Sequence, residues 1–220
     1  MDSNTPKRSA SRFRRVGALL IGAALTLAPL AALADAYAPP AADAQAIGLF
    51  KLGKEKKSSY ALANAKFKVG HAEIFVDAPI AKVKAAVLDY GNYSAIMPRF
   101  EKSKLLKQNG QAAQVYLQVP ILHGAAVIWA IENFAAPAAD GAGEKVIGTM
   151  QKGNVTDFRA TWRYRAVDDQ HSVVSADIYI EPNLDVPEDL LTSQVEDACG
   201  DGVRGVKQRA EAATKVASVP

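Results

Sequence analysis

The sequence predicts an α+β fold: an antiparallel sheet of about six to seven strands closed by one long C-terminal helix, in the order β-α-α-β-β-β-β-β-β-α. Three observations predict it. A half-buried strand ends in Asp77-Ala-Pro79 and runs directly into an amphipathic helix. Six strand-like runs between Phe100 and Glu181 are separated only by short turn-forming stretches, so sequence neighbours pair as a meander. From Pro187 to Thr214 apolar residues recur at helical spacing.

Each element has its own signal. In the first strand Ala72, Ile74 and Val76 alternate with His71, Glu73 and Asp77, the period of a strand with one buried face. Asp77-Ala-Pro79 supplies an N-cap and a first-turn proline for a helix with Ile80, Val83, Val87 and Tyr90 on one face. Gly91 stops that helix, and a second short one over Asn92–Met97 ends at Pro98. The later strands are expected at Phe100–Lys107, Gln111–Val119, Ala125–Ala135, Lys145–Lys152, Phe158–Val167 and Ser172–Glu181. Asn109-Gly110 is a hairpin turn; Gly141-Ala-Gly143 and Asp168-Asp169-Gln170 are connectors. The long helix carries Glu188 and Asp189 in its first turn and Lys207, Arg209 and Lys215 near its end, which suits its dipole. Its apolar stripe is Leu191, Val195, Ala198 or Cys199, Val203, Val206 and Ala210. Gly200, Gly202 and Gly205 interrupt it, each costing roughly 1 kcal/mol against alanine. Either the helix breaks or bends there, or the missing side chains leave room for a ligand or for flexing.

Upstream, residues 1–34 read as a secretory signal peptide. Lys7, Arg8, Arg12, Arg14 and Arg15 form a basic start, Val16–Leu33 is apolar, and Ala32-Leu33-Ala34 is a small-x-small cleavage site. An uncleaved anchor is the alternative. Export to a periplasmic or extracellular space is therefore expected. The leader takes 5 of the 26 Lys+Arg and 1 of the 23 Asp+Glu, leaving 21 against 22 and a net charge of −1. That near-neutral remainder gives no strong electrostatic case for nucleic acid or for an anionic membrane. Residues 35–46 are Ala/Pro-rich and read as a flexible tether. Residues 47–66 form an N-terminal extension, read as a short solvated element at the domain edge, with an amphipathic membrane-contact helix as the alternative. Residues 67–215 are the domain proper. Cys199 is the sole cysteine, so the fold is expected to form without an internal disulfide.

Motifs for catalysis are thin. There is no phosphate-binding glycine loop, no G-x-S-x-G, no H-E-x-x-H and no C-x-x-C. His71, His123 and His171 lack ligand spacing, so neither a metal nor a cofactor is expected. Several local features, however, resemble those of the START-like, or SRPBCC, superfamily. They are Asp77-Ala-Pro79 with Val83, Asp89-Tyr90 with Tyr93 and Met97-Pro98, Val119-Pro120, Trp162, and Pro182 followed by Val186-Pro187. The resemblance spans about Phe67 to Thr214. It implies the helix-grip fold, a curved antiparallel sheet wrapped around the long C-terminal helix with an apolar cavity between them. Lipid carriers, polyketide cyclases and aromatases, and coenzyme Q-binding proteins belong to this superfamily. The implied partner is a hydrophobic small molecule (lipid, quinone or polyketide-like), with transient membrane contact.

Cavity residues follow from facing. Phe158, Ala160, Trp162 and Tyr164 share the apolar face of one strand and are expected toward the helix; Arg159, Thr161, Arg163 and Arg165 share the other and are expected in solvent. Tyr116 and Trp129 are expected to join Phe158 and Trp162 as one wall, with Leu191, Val195, Cys199, Gly202 and Val203 as the other. Plain core packing competes for every one of them. Cys199 reads as a small buried residue, not a nucleophile. Asp177 is expected outward with Ser175 and Tyr179, and Glu132 shares a side with Ile128 and Ala130. Were Glu132 to face the cavity, burial would raise its pKa and make it a general acid/base candidate. Three functions stand at this point: a carrier of a hydrophobic molecule, a cyclase-, aromatase- or hydrolase-type enzyme, and a protein-interaction module with a filled core. Carboxylate burial and cavity size separate them.

Overall fold

A computed structural model describes residues 43–121 and 124–217. The leader, residues 35–42 of the tether and His123 lie outside the described residues. Helix α1 (Ala44–Leu52) starts where Asp43 accepts a hydrogen bond from the Ala46 amide at 2.9 Å, and Gly53 closes it at φ 67°. The helix therefore takes in Ala44–Ala46, the last residues of the stretch read as tether. Strand β1 (Lys56–Tyr60) pairs antiparallel with β2 (Val69–Val76). Helix α2 (Ile80–Val87) follows, then a 3-10 turn (Tyr90–Asn92) and α3 (Tyr93–Ile96). The meander is β3 (Lys102–Asn109), β4 (Ala112–Ile121), β5 (Ala126–Phe134), β6 (Ala138–Asp140), β7 (Gly143–Gly153), β8 (Val155–Ala166) and β9 (Ser172–Pro182), and α4 (Glu188–Ala217) ends it.

The sheet is open and antiparallel throughout, in the order β1-β2-β9-β8-β7-β5-β4-β3, with β6 paired to β7. The strand after α1 and the short β6 were not expected. Lys-Lys-Ser-Ser-Tyr has no apolar alternation and is mostly exposed, so β1 forms only because β2 offers an edge. The α2 boundary also differs from expectation. Pro79, not Asp77, occupies the N-cap, and the Asp77 amide donates instead to Glu211 Oε1 of α4 at 2.9 Å.

Helix α4 is unbroken for 30 residues, so its glycines do not interrupt it. Packing explains Gly205. A Cβ on Gly205 would lie 1.9 Å from the Ile96 carbonyl oxygen, so this glycine lets α3 end against α4. On β2, a Cβ at Gly70 would lie 2.5 Å from the Val195 backbone, so α4 rests directly on that strand. Helix α4 packs inside the curve on β2 and β9, with α2 and α3 beside it. Leu191, Val195, Cys199, Val203, Val206 and Ala210 are all buried in that core. Helix α1 also packs on β2, with Leu49 buried and Phe50 set edge-on to Phe75 at 5.4 Å.

Candidate functional site

Between the inner sheet face and α3–α4 lies a small apolar cavity of about 20 Å³, lined by Tyr93, Met97, Phe100, Leu117, Phe158 and Trp162 among others. That is the room of about one water, whereas drug-sized ligands occupy several hundred Å³. The aromatic motif residues fill the space: Tyr93 sits edge-on to Trp162 at 6.4 Å and against Phe100 at 5.7 Å. Of the residues expected on the helix wall, Gly202 lines the cavity, and a Cβ there would meet the Trp162 ring at 3.2 Å. The other α4 residue at the cavity is Ala198. Val195 and Cys199 turn to β2 instead, where the Cys199 thiol donates to the Gly70 carbonyl at 3.2 Å and burial pushes its pKa up. Leu191 and Val203 are buried core that does not line the cavity.

Tyr116 and Trp129 are not in the wall. Their strands turn Val115, Leu117, Ile128 and Ala130 inward, and the two-residue period puts Tyr116 and Trp129 on the outer face. They stack there at 6.2 Å with 22° between the rings, and Tyr116 donates to Gln118 Oε1 at 3.0 Å. The same alternation carries Glu132 inward. Its exposure is 0%, and neither carboxylate oxygen has a partner. Burial, with a smaller contribution from the nearby Asp157 charge, pushes its pKa up to about 8.

Two further residues build this polar spot. Phe134 lines the cavity, and the Tyr90 ring stacks on it at 4.6 Å, leaving the Tyr90 hydroxyl buried without a partner. Burial raises that phenol too. Gly148 makes space beside them: a Cβ there would lie 2.7 Å from Phe134 Cε1 and 3.0 Å from Glu132 Oε2. The sequence signal for Tyr90 is its place in Asp89-Tyr90-x-x-Tyr93; Gly148 has none, since its role depends on a cross-strand neighbour. By contrast Tyr93 is satisfied, donating to the Val87 carbonyl at 2.6 Å.

Polar groups on the outer face are paired. Asp177 faces outward as expected, yet it is only 6% exposed. Burial alone would raise its carboxyl, but hydrogen bonding from His71 at 2.8 Å and the Arg163 charge outweigh it and hold it below the usual range. Arg165 is clamped by Asp43 and Gln45 next to and within α1, and Arg159 pairs with Asp157. The arginine stripe is thus an ion-paired seam, not free surface. Among the described residues no group of three or more His, Cys, Asp or Glu is placed to hold a metal ion, and no helix is long and apolar enough to cross a membrane.

The family described as polyketide cyclase / dehydrase and lipid transport matches residues 69–211. No curated protein matches the chain. Among solved structures, a START superfamily protein from Mycobacterium smegmatis is 18% identical, with a TM-score of 0.58 over 66% of this chain and 98% of that one. A STAR-related lipid transfer protein from Xanthomonas axonopodis is 14% identical at 0.61, over 71% and 93%. The Zhui aromatase/cyclase from Streptomyces sp. R1128 is 16% identical at 0.56, over 76% and 99%. At such identities these structures bear on the fold alone. With the family match spanning most of the described domain, they complete the argument: this chain belongs to the polyketide cyclase / dehydrase and lipid transport family and has the START-like helix-grip fold.

Proposed function

We propose that this protein is an exported carrier that binds a neutral hydrophobic molecule, of lipid, quinone or polyketide type, between the sheet and α4. One observation carries the proposal. An interior built from apolar side chains contains a carboxyl and a phenol, Glu132 and Tyr90, that no described protein group satisfies. Leaving such groups unpaired costs about 1–3 kcal/mol each. A ligand oxygen beside Phe134 would meet that need. Near neutral pH Glu132, with a pKa of about 8, keeps its proton and can donate to a carbonyl or hydroxyl. Among the described residues no Lys, Arg or His lines the cavity, so an anionic group would enter without compensation. Binding requires the interior to widen, since the present space is about 20 Å³. The family to which the chain belongs supports the ligand class; the basic-then-apolar leader supports export.

Native mass spectrometry of the protein purified from its own host tests this, followed by solvent extraction of whatever co-purifies. A stoichiometric neutral lipid or quinone is the expected result. A protein that arrives empty and takes up no neutral apolar molecule offered to it sinks the proposal.

A second reading has its own observation. A buried carboxyl with a pKa near working pH is suited to move a proton during an aldol or dehydration step on a bound polyketide-like chain. Under that reading Glu132→Gln abolishes turnover and leaves binding within a few fold, whereas for a carrier there is no turnover to lose.

A further inference from the structure

We propose that the outer face of β3, β4, β5 and β7 docks on an anionic lipid surface. Cross-strand register assembles it. One row runs Lys104, Tyr116, Ile131, Lys152; the next holds Lys102, Gln118 and Trp129; Lys107 lies beside Gln114 and Asn133. Residues in register share a face, so four lysines surround the stacked Tyr116–Trp129 pair. All four are exposed, and none forms an ion pair with a described carboxylate. This differs from the adjoining part of the same face, where Lys145, Arg159, Arg163 and Arg165 are each bound to an aspartate. Free positive charge is concentrated at one end of the sheet. Glu101 is the carboxylate beside it, held by the Gln118 amide at 2.7 Å.

The apolar component identifies the partner as lipid. Val127, 40% exposed, and Ile147, 42% exposed, lie on this face with the aromatic pair. Tyr and Trp rings settle at the headgroup level of a bilayer, and lysine stems lie along apolar surface with their ammonium groups on anionic headgroups. A soluble polyanion offers the charges but no apolar boundary for Trp129, Val127 and Ile147. The chain's own leader, with five Lys+Arg and one Asp, has the wrong sign to cover the lysines. This docking is independent of what the interior binds.

The test uses the full chain with vesicles of phosphatidylcholine, alone or mixed with phosphatidylglycerol and carrying acyl-chain bromines that quench nearby tryptophan. Of the two tryptophans Trp162 is only 6% exposed, so Trp129 reports contact by this face even if another segment also inserts. Trp129 should be quenched on anionic vesicles at low salt, and not on neutral vesicles or at high salt. Affinity should drop about fivefold for each lysine neutralised, in Lys102→Gln, Lys104→Gln and the double variant. These exposed substitutions should leave the melting temperature unchanged.

Four results overturn the proposal. Anionic lipid is ruled out if Trp129 stays unquenched on such vesicles, or if the lysine variants bind them like the parent. Heparin binding with the same lysine dependence, and without Trp129 quenching on vesicles, assigns the face to an acidic polymer. A Trp129 shift that follows protein concentration without lipid assigns it to a second copy of the chain.

Discussion

Glu132 is a buried carboxyl whose energetics depart from the usual pattern. Its carboxyl is fully buried and unpartnered, with a pKa of about 8 against an ordinary 4.5. Below pH 4.5 folded and unfolded chains both carry the proton, and the group's contribution to stability is complete. Above that the unfolded chain releases the proton and the folded one retains it, so stability falls up to about pH 8 and is level beyond. At about 1.4 kcal/mol per pH unit the loss is on the order of 5 kcal/mol. Urea unfolding at pH 5 and pH 9 should show that loss in the parent and most of it absent from Glu132→Gln. Equal losses in both would mean the carboxyl is not held protonated in the fold. Gly148→Ala should be costly at the same spot, because its methyl has no place between Phe134 and Glu132.

At the scale of elements, the glycines of α4 make a paired prediction. Gly200→Ala gains helix propensity and meets only the flexible Lys57 and Glu55 side chains, at 3.0 and 3.4 Å, so it should stabilise by about 0.5–1 kcal/mol. Gly205→Ala offers the same propensity gain but drives a methyl into the Ile96 carbonyl, so it should destabilise by several times that. Thermal melts of the two variants settle it; shifts of the same sign would refute the α3–α4 contact. This pair also marks what the sequence could and could not show. The seven strands and the long helix were legible because alternation and helical spacing persist over many residues. Strand β1 was not, because its pairing is set by the β2 edge and its own side chains stay exposed. In the candidate site Phe158, Trp162 and Gly202 were legible from strand facing and helix position. Tyr116 and Trp129 follow register rather than aromaticity, which puts them outside the wall, and Glu132 follows the same register inward despite its charge. The inward row Ile128, Ala130, Glu132, Phe134 obeys the period regardless of polarity.

For the whole molecule the question is how a domain with about 20 Å³ of free interior can hold a ligand. Protein interiors are close-packed, so admitting a molecule of several hundred Å³ means moving the side chains that now fill the grip. Met97 and Phe100 stand at the α3 end of the cavity, just past the C-terminus of a four-residue helix. If the closed state dominates, apparent affinity is lowered by the fraction of molecules open, and emptying the grip recovers it. Met97→Ala should therefore lose about 2–5 kcal/mol of stability and yet bind a neutral apolar dye such as Nile red more tightly, by at least about tenfold. Leu191→Ala is the matched control: equally buried, similar in cost, and away from the cavity lining. A binding gain in Met97→Ala and none in Leu191→Ala ties the gain to the cavity, because general loosening of the fold would raise dye binding in both. Destabilisation without any gain in Met97→Ala would mean that the interior is solid core, and the carrier reading would give way to a domain that works through its surface.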